Sequence, residues 1–146
     1  AWFQRTTLHE QERELDIKGE EVMEFLNIRH LADEQAGNLS GGQKKLLELG
    51  RTMMVDAKVV ILDEVGAGVN RTLLKEIGDA IELMNQEKGY TFCMIEHDMD
   101  FIGRLCNPVV VMAEGKLLIE GTAEEVKSNE MVIEAYLGRG ASSGLS

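Results

Sequence analysis

The chain has 146 residues, 44% hydrophobic and 28% charged, the balance of one soluble globular domain, and no apolar run long enough to span a bilayer. Fifteen Lys and Arg against 26 Asp and Glu leave a formal charge of -11, which repels phosphate backbones and anionic lipids at long range and excludes nucleic acid as an expected partner. Cys93 and Cys106 stand in apolar stretches without metal-ligand or disulfide spacing, so both are expected as reduced thiols of a cytoplasmic protein. The start at Ala1-Trp2-Phe3 lacks Met and the basic-then-apolar pattern of a secretory leader, and the chain is expected to begin inside a longer protein.

From about His9 to Arg29, Leu15, Val22, Phe25 and Leu26 recur among charged residues, predicting an amphipathic helix with a break near Gly19. Residues 31–38 read as loop. Ser40 then caps a second helix whose apolar stripe runs through Leu46, Leu49 and Met53. Val59-Val60-Ile61-Leu62 is a continuous apolar run ending in Asp63-Glu64, which predicts a strand buried on both faces of a parallel sheet. A glycine-containing loop precedes a helix over Arg71 to Gln86, closed by Lys88-Gly89. A second buried strand follows over Thr91 to Ile95. A right-handed crossover between the two strands brings Asp63-Glu64 and Glu96-His97 to one C-terminal sheet edge, where open α/β sheets bind ligands.

Beyond a helix from Met99 to Leu105, Val109 to Met112 and Lys116 to Ile119 flank Glu114-Gly115, the pattern of a hairpin. Residues Ala123 to Tyr136 are expected to be helical with a break near Asn129. Gly138 to Gly144 is rich in Gly and Ser and is expected to be disordered.

Three constellations carry chemistry. In Leu39-Ser40-Gly41-Gly42-Gln43 a capped helix start with two glycines lets backbone N–H groups approach an anion where the helix dipole favours one, although the same residues also suit an ordinary helix entry. Asp63-Glu64 ends a strand, where one carboxylate can hold Mg²⁺ through water and the next can orient or deprotonate an attacking water; the alternative is a pair of solvated turn residues. His97, unlike His9 and His30 in charged surface segments, lies at the same sheet edge and can donate to a terminal phosphate, or simply begin the next helix.

Together these motifs resemble those of the ATP-binding subunits of ABC transporters. Leu39 to Gln43 is similar to the ABC signature, Val59 to Glu64 to the Walker B strand with its catalytic glutamate, and His97 to the switch histidine. Ala67-Gly68-Val69-Asn70 falls where the D-loop lies, and Gly115 and Gly121 match glycines of the terminal hairpin. Ile95-Glu96-His97-Asp98-Met99 and Glu134-Ala135-Tyr136-Leu137-Gly138 resemble in particular the subunits of branched-chain amino acid importers and their urea-uptake relatives.

The resemblance implies an α/β fold, the C-terminal part of an ABC-type P-loop NTPase domain, with a parallel sheet core, flanking helices and a C-terminal β-hairpin. It divides the chain into a helical signature subdomain (1–56), the second part of the ATPase core (57–137) and a tail (138–146). It also implies ATP and Mg²⁺ as cofactors, with Asp63 on the metal, Glu64 on the hydrolytic water and His97 on the γ-phosphate. Leu39, Ser40, Gly41, Gly42 and Gln43 would face the nucleotide of a second ATPase subunit, and Ala67 to Asn70 would cross that interface. Transmembrane permease subunits would hold the protein at the cytoplasmic face of the membrane and couple hydrolysis to amino-acid uptake.

Two departures stand out. Val65 replaces the proline usual after the glutamate, removing a fixed φ. The 146 residues contain no Gly-x-x-x-x-Gly-Lys-Ser/Thr, so the phosphate-cradling Walker A loop is not among them, and the chain alone is expected to be inactive. Two other readings remain open: an ABC ATPase with another task, such as lipid export, and a non-catalytic module that docks on a complete ATPase.

Overall fold

The computed structural model describes the backbone of residues 2–55 and 57–141, and side chains within residues 9–55 and 57–135. Two compact units form, one from residues 1–61 and 65–93, the other from residues 62–64 and 94–146.

The first unit is built on helices. Helix α1, Trp2–Phe25, runs unbroken through Gly19, against the expected break. A single glycine costs a helix about 1 kcal/mol relative to alanine, and Lys18, Glu20 and Glu21 beside it are good helix formers. Two 3₁₀ turns, Arg29–Leu31 and Ala36–Asn38, occupy the segment expected as loop. Helix α2, Gly41–Met54, buries Leu46, Leu49 and Met53 as its periodicity predicted. It packs on α1 and on α3, Arg71–Lys88, whose own stripe buries Ile77, Ala80, Ile81 and Met84. Gly89 ends α3 in the left-handed conformation, its N–H turned back to the carbonyls of Asn85 and Met84.

Strands β1, Val59–Asp63, and β2, Thr91–Ile95, pair in parallel across the α3 crossover: Thr91 N donates to Lys58 O at one end (2.9 Å) and Glu64 N to Ile95 O at the other (2.9 Å). Burial corrects the expectation for both. Val60 is buried, but Val59 is 62% and Ile61 71% exposed, and Thr91 and Cys93 are exposed along β2. A run without alternation signals burial on two faces; among the described residues these two strands have one covered face, and the other is open. Cys93 is thus exposed, not enclosed in apolar surroundings.

In the second unit, α4 (Met99–Leu105), β3 (Val109–Ala113), β4 (Lys116–Gly121), α5 (Ala123–Ser128) and α6 (Glu130–Ala141) surround Ile102, Val109, Val126 and Val132. Cys106, Val111 and Ile119 pack against this core. Strands β3 and β4 form the expected hairpin, Ala113 opposite Lys116. Glu114 and Gly115 both have positive φ (50° and 73°), the type I′ turn that matches strand twist and favours glycine second. The register slips by one between Val111 and Met112, leaving Leu118 as the extra residue of a bulge. Asn129 separates α5 from α6 where the break was expected, its Oδ1 accepting from Met131 N and Val132 N. Helix α6 includes Gly138 and Gly140, which composition assigns to a disordered tail; residues 142–146 of that tail lie outside the described residues.

Candidate functional site

The parallel pairing places the acidic pair and the histidine at one strand edge. Asp63 is the last residue of β1, and Glu64 follows with φ of 45°. A glutamate rarely adopts this left-handed backbone. Two constraints hold it there: its N–H is bonded to Ile95 O, and the next residue, Val65, is buried. Both carboxylates are exposed, open to water and ligand. Glu64 shares a positive φ with Asn27 and Glu114, but those two stand in turns, whereas Glu64 stands at the bend directly after β1.

The chain leaves β2 through Glu96, whose side chain is only 1% exposed, while that of His97 is 70% exposed. Glu96 Oε2 accepts from His97 N at 3.2 Å and stands 3.8 Å from His97 Nδ1, an ion pair only when the imidazole is protonated. With Nδ1 on the Glu96 side, Nε2 is the nitrogen left for an external acceptor. Asp98 caps α4, its Oδ1 accepting from Asp100 N and Phe101 N, both at 3.0 Å. His97 is therefore held between a covered carboxylate and a capped helix start. The covered Glu96 carries no periodicity signal, and the sequence did not single it out as a site residue.

The candidate signature residues belong to the first unit. Ser40 caps α2 in a capping box: Gln43 N donates to Ser40 Oγ at 3.3 Å and Ser40 N to Gln43 Oε1 at 2.9 Å. Gly41 is exposed, and a Cβ built on it would meet nothing within 4 Å. Gly42 is buried, and a Cβ there would overlap Leu73 of α3. Leu39 is half-buried. Of the D-loop candidates, Ala67 and Gly68 are exposed and Val69 is half-buried, its N donating to Gly66 O at 3.2 Å. Asn70 caps α3, Oδ1 accepting from Leu73 N at 2.9 Å. Ser40, Gln43, Asn70 and Leu73 line one open cleft of about 580 Å³.

As for a metal, no group of three or more His, Cys, Asp or Glu side chains gathers among the described residues. Asp63 and Glu64 offer hard, exposed oxygen donors at a strand end. That donor set suits a cation that keeps most of its waters and takes phosphate oxygens, as Mg²⁺ does. No described helix is long and apolar enough to cross a membrane.

Residues 1–67 match the family described as ABC transporter, and residues 116–142 that described as branched-chain amino acid ATP-binding cassette transporter. The "Probable branched-chain amino acid transport ATP-binding protein LivG" of Archaeoglobus fulgidus is 42% identical over 129 residues, 88% of this chain and 49% of the relative. The "High-affinity branched-chain amino acid transport ATP-binding protein BraF" of Pseudomonas aeruginosa is 33% identical over 93% of this chain and 53% of its own. A crystal structure titled as the ADP conformation of an ATP-binding cassette of an ABC transporter superposes with a TM-score of 0.78 at 38% identity, over 86% of this chain and 50% of that one. The chain thus spans about half the length of the curated relatives it matches. With the motifs in order, the strand edge assembled and the fold shared, the chain belongs to the ABC transporter ATPase family, among relatives named for branched-chain amino acid transport.

Proposed function

We propose that this chain is the second half of an ATP-hydrolysing subunit of an ABC importer for branched-chain amino acids or related solutes. The observation that carries the reading is the convergence of Asp63, Glu64 and His97 at one edge of a parallel strand pair, in a chain whose relatives are named for that transport. In this reading residues 1–56 are the signature subdomain and residues 57–137 the second part of the ATPase core.

Glu64 is the general base. Its carboxylate orients a water and accepts its proton as that water attacks the terminal phosphorus in line, the bond from that phosphorus to the bridging oxygen breaks and ADP leaves with the electron pair. His97 donates from Nε2 to a γ-phosphate oxygen, while Glu96 on its Nδ1 side steadies the ring. Asp63 would hold Mg²⁺, which when bound would supply positive charge against the phosphates. Ser40, Gly41, Gly42 and Gln43, with Leu39 before them, present the start of α2 to the nucleotide of a second ATPase subunit. Ala67 to Asn70 reach across the same interface. Permease subunits take up the motion at the cytoplasmic face of the membrane. Positioning the phosphates requires a Walker A loop, which in this reading lies in the other half of the protein.

The test joins the 146 residues to a Walker A-bearing first half and measures magnesium-dependent phosphate release with the wild-type sequence and with Glu64→Gln. Hydrolysis lost in the variant with ATP binding retained is the expected result. Equal turnover in the two would remove Glu64 from its role, and no hydrolysis by either would overturn the reading.

A further inference from the structure

We propose that Leu73 is a positioning residue that fixes the signature start to the D-loop helix by filling the space that Gly42 leaves. The inference rests on the reading above for its functional meaning, and on the first unit alone for its geometry. The two signature glycines differ. Gly41 has open space where a side chain would stand, so its missing Cβ leaves room for an incoming ligand. Gly42 is buried, and a Cβ there would overlap Leu73 Cδ2 and Cγ and stand 3.3 Å from Cδ1. The missing Cβ at this second position is therefore already used by the protein itself.

What Leu73 joins gives the contact its consequence. Its own N–H is the donor that Asn70 Oδ1 accepts in capping α3, so Leu73 sits one turn into the helix that the D-loop residues 67–70 lead into. Gly42 sits inside the Ser40–Gln43 capping box of α2. Both caps face the same cleft. A side chain seated from one capped start into the other prevents the two from sliding, because a methyl cannot be added or the leucine removed without opening a gap or a clash. Ser40–Gln43 and Ala67–Asn70, the two segments assigned to the partner-facing surface, then move as one piece, and a displacement of either is passed to the other.

The test uses the completed cassette, the 146 residues joined to a Walker A-bearing first half, with Gly42→Ala, Leu73→Ala, the double variant and Leu73→Met. In chemical denaturation Gly42→Ala is expected to lower the unfolding midpoint by forcing Leu73 out. The same change in the Leu73→Ala background is expected to raise it, since alanine outranks glycine inside a helix once the clash is gone. In amide hydrogen exchange Leu73→Ala is expected to speed exchange severalfold at the two cap amides, Gln43 and Leu73 or its replacement, without a matching rise at Met84 in the buried stretch of α3. Leu73→Met, which refills the space, restores both. The same sign for Gly42→Ala in the two backgrounds would overturn the proposal, as would a uniform rise in exchange, which marks general loss of packing rather than loss of a lock. None of these readouts needs nucleotide, so they stand or fall separately from the ATPase reading.

Discussion

Glu64 carries two burdens that substitution separates. Its positive φ is a backbone cost shared by any L-residue placed there, and its carboxylate is the proposed base. Glutamine keeps the side-chain volume and leaves the backbone problem unchanged. In the completed cassette Glu64→Gln should therefore bind ATP as before and turn over about 10² to 10⁴ more slowly, the usual size of a general-base effect, measured as single-turnover phosphate release. Glycine should relieve the backbone while removing the base, giving a more stable and equally slow variant. The residue was legible in the sequence as the end of an apolar run. Its left-handed backbone was not, because glutamate itself rarely adopts a positive φ and no glycine or asparagine at the position announces one.

At the level of elements, the capped helix start at Ser40 was the readiest to read, since its side-chain oxygen acts only three residues from the N–H group it satisfies, and the break at Asn129 was read although its capping role was not. In the completed cassette Ser40→Ala should cost about 1 kcal/mol of unfolding free energy, seen as a shifted urea midpoint with unchanged slope. Helix α5 adds a pH dependence. Glu125 accepts from Thr122 N at 2.8 Å, and its own N–H donates to Thr122 Oγ1. The bond from the Thr122 backbone N–H foremost, and then one from the Thr122 side chain, hold its carboxyl below the ordinary glutamate range. A depressed folded-state value makes the contribution whole above that ordinary range and removes it as pH falls through the lowered value. Acidification should fray the first turn of α5, read by exchange at the Thr122 and Glu125 amides, and Glu125→Gln should abolish this acid step. Harder to read were the contacts between elements. That α1 passes through Gly19, and that Leu73 meets Gly42, depend on which helices lie side by side, and pairwise packing leaves no periodic trace in one sequence.

At the scale of the whole molecule, the chain carries the strand-edge acids and histidine, a capped Ser40–Gln43 helix start and a matching fold, while it covers only about half of its relatives' length. The purified 146 residues should show no steady magnesium-dependent phosphate release, because positioning of the phosphates supplies most of the catalysis in this chemistry. They should also unfold with low cooperativity, since two strands with one open apolar face make a poor core. The strand run was legible; its one-sided exposure was not, because an unbroken apolar stretch records how many layers a strand is suited to and not how many its own chain provides. That open face contains a thiol. Cys93 stands between the exposed residues of β2 while Cys106 is packed among the hydrophobic residues of the second unit, so the protein carries its own chemical reporter and internal reference: the ratio of their alkylation rates, high for the chain alone, should fall once anything settles over β1 and β2.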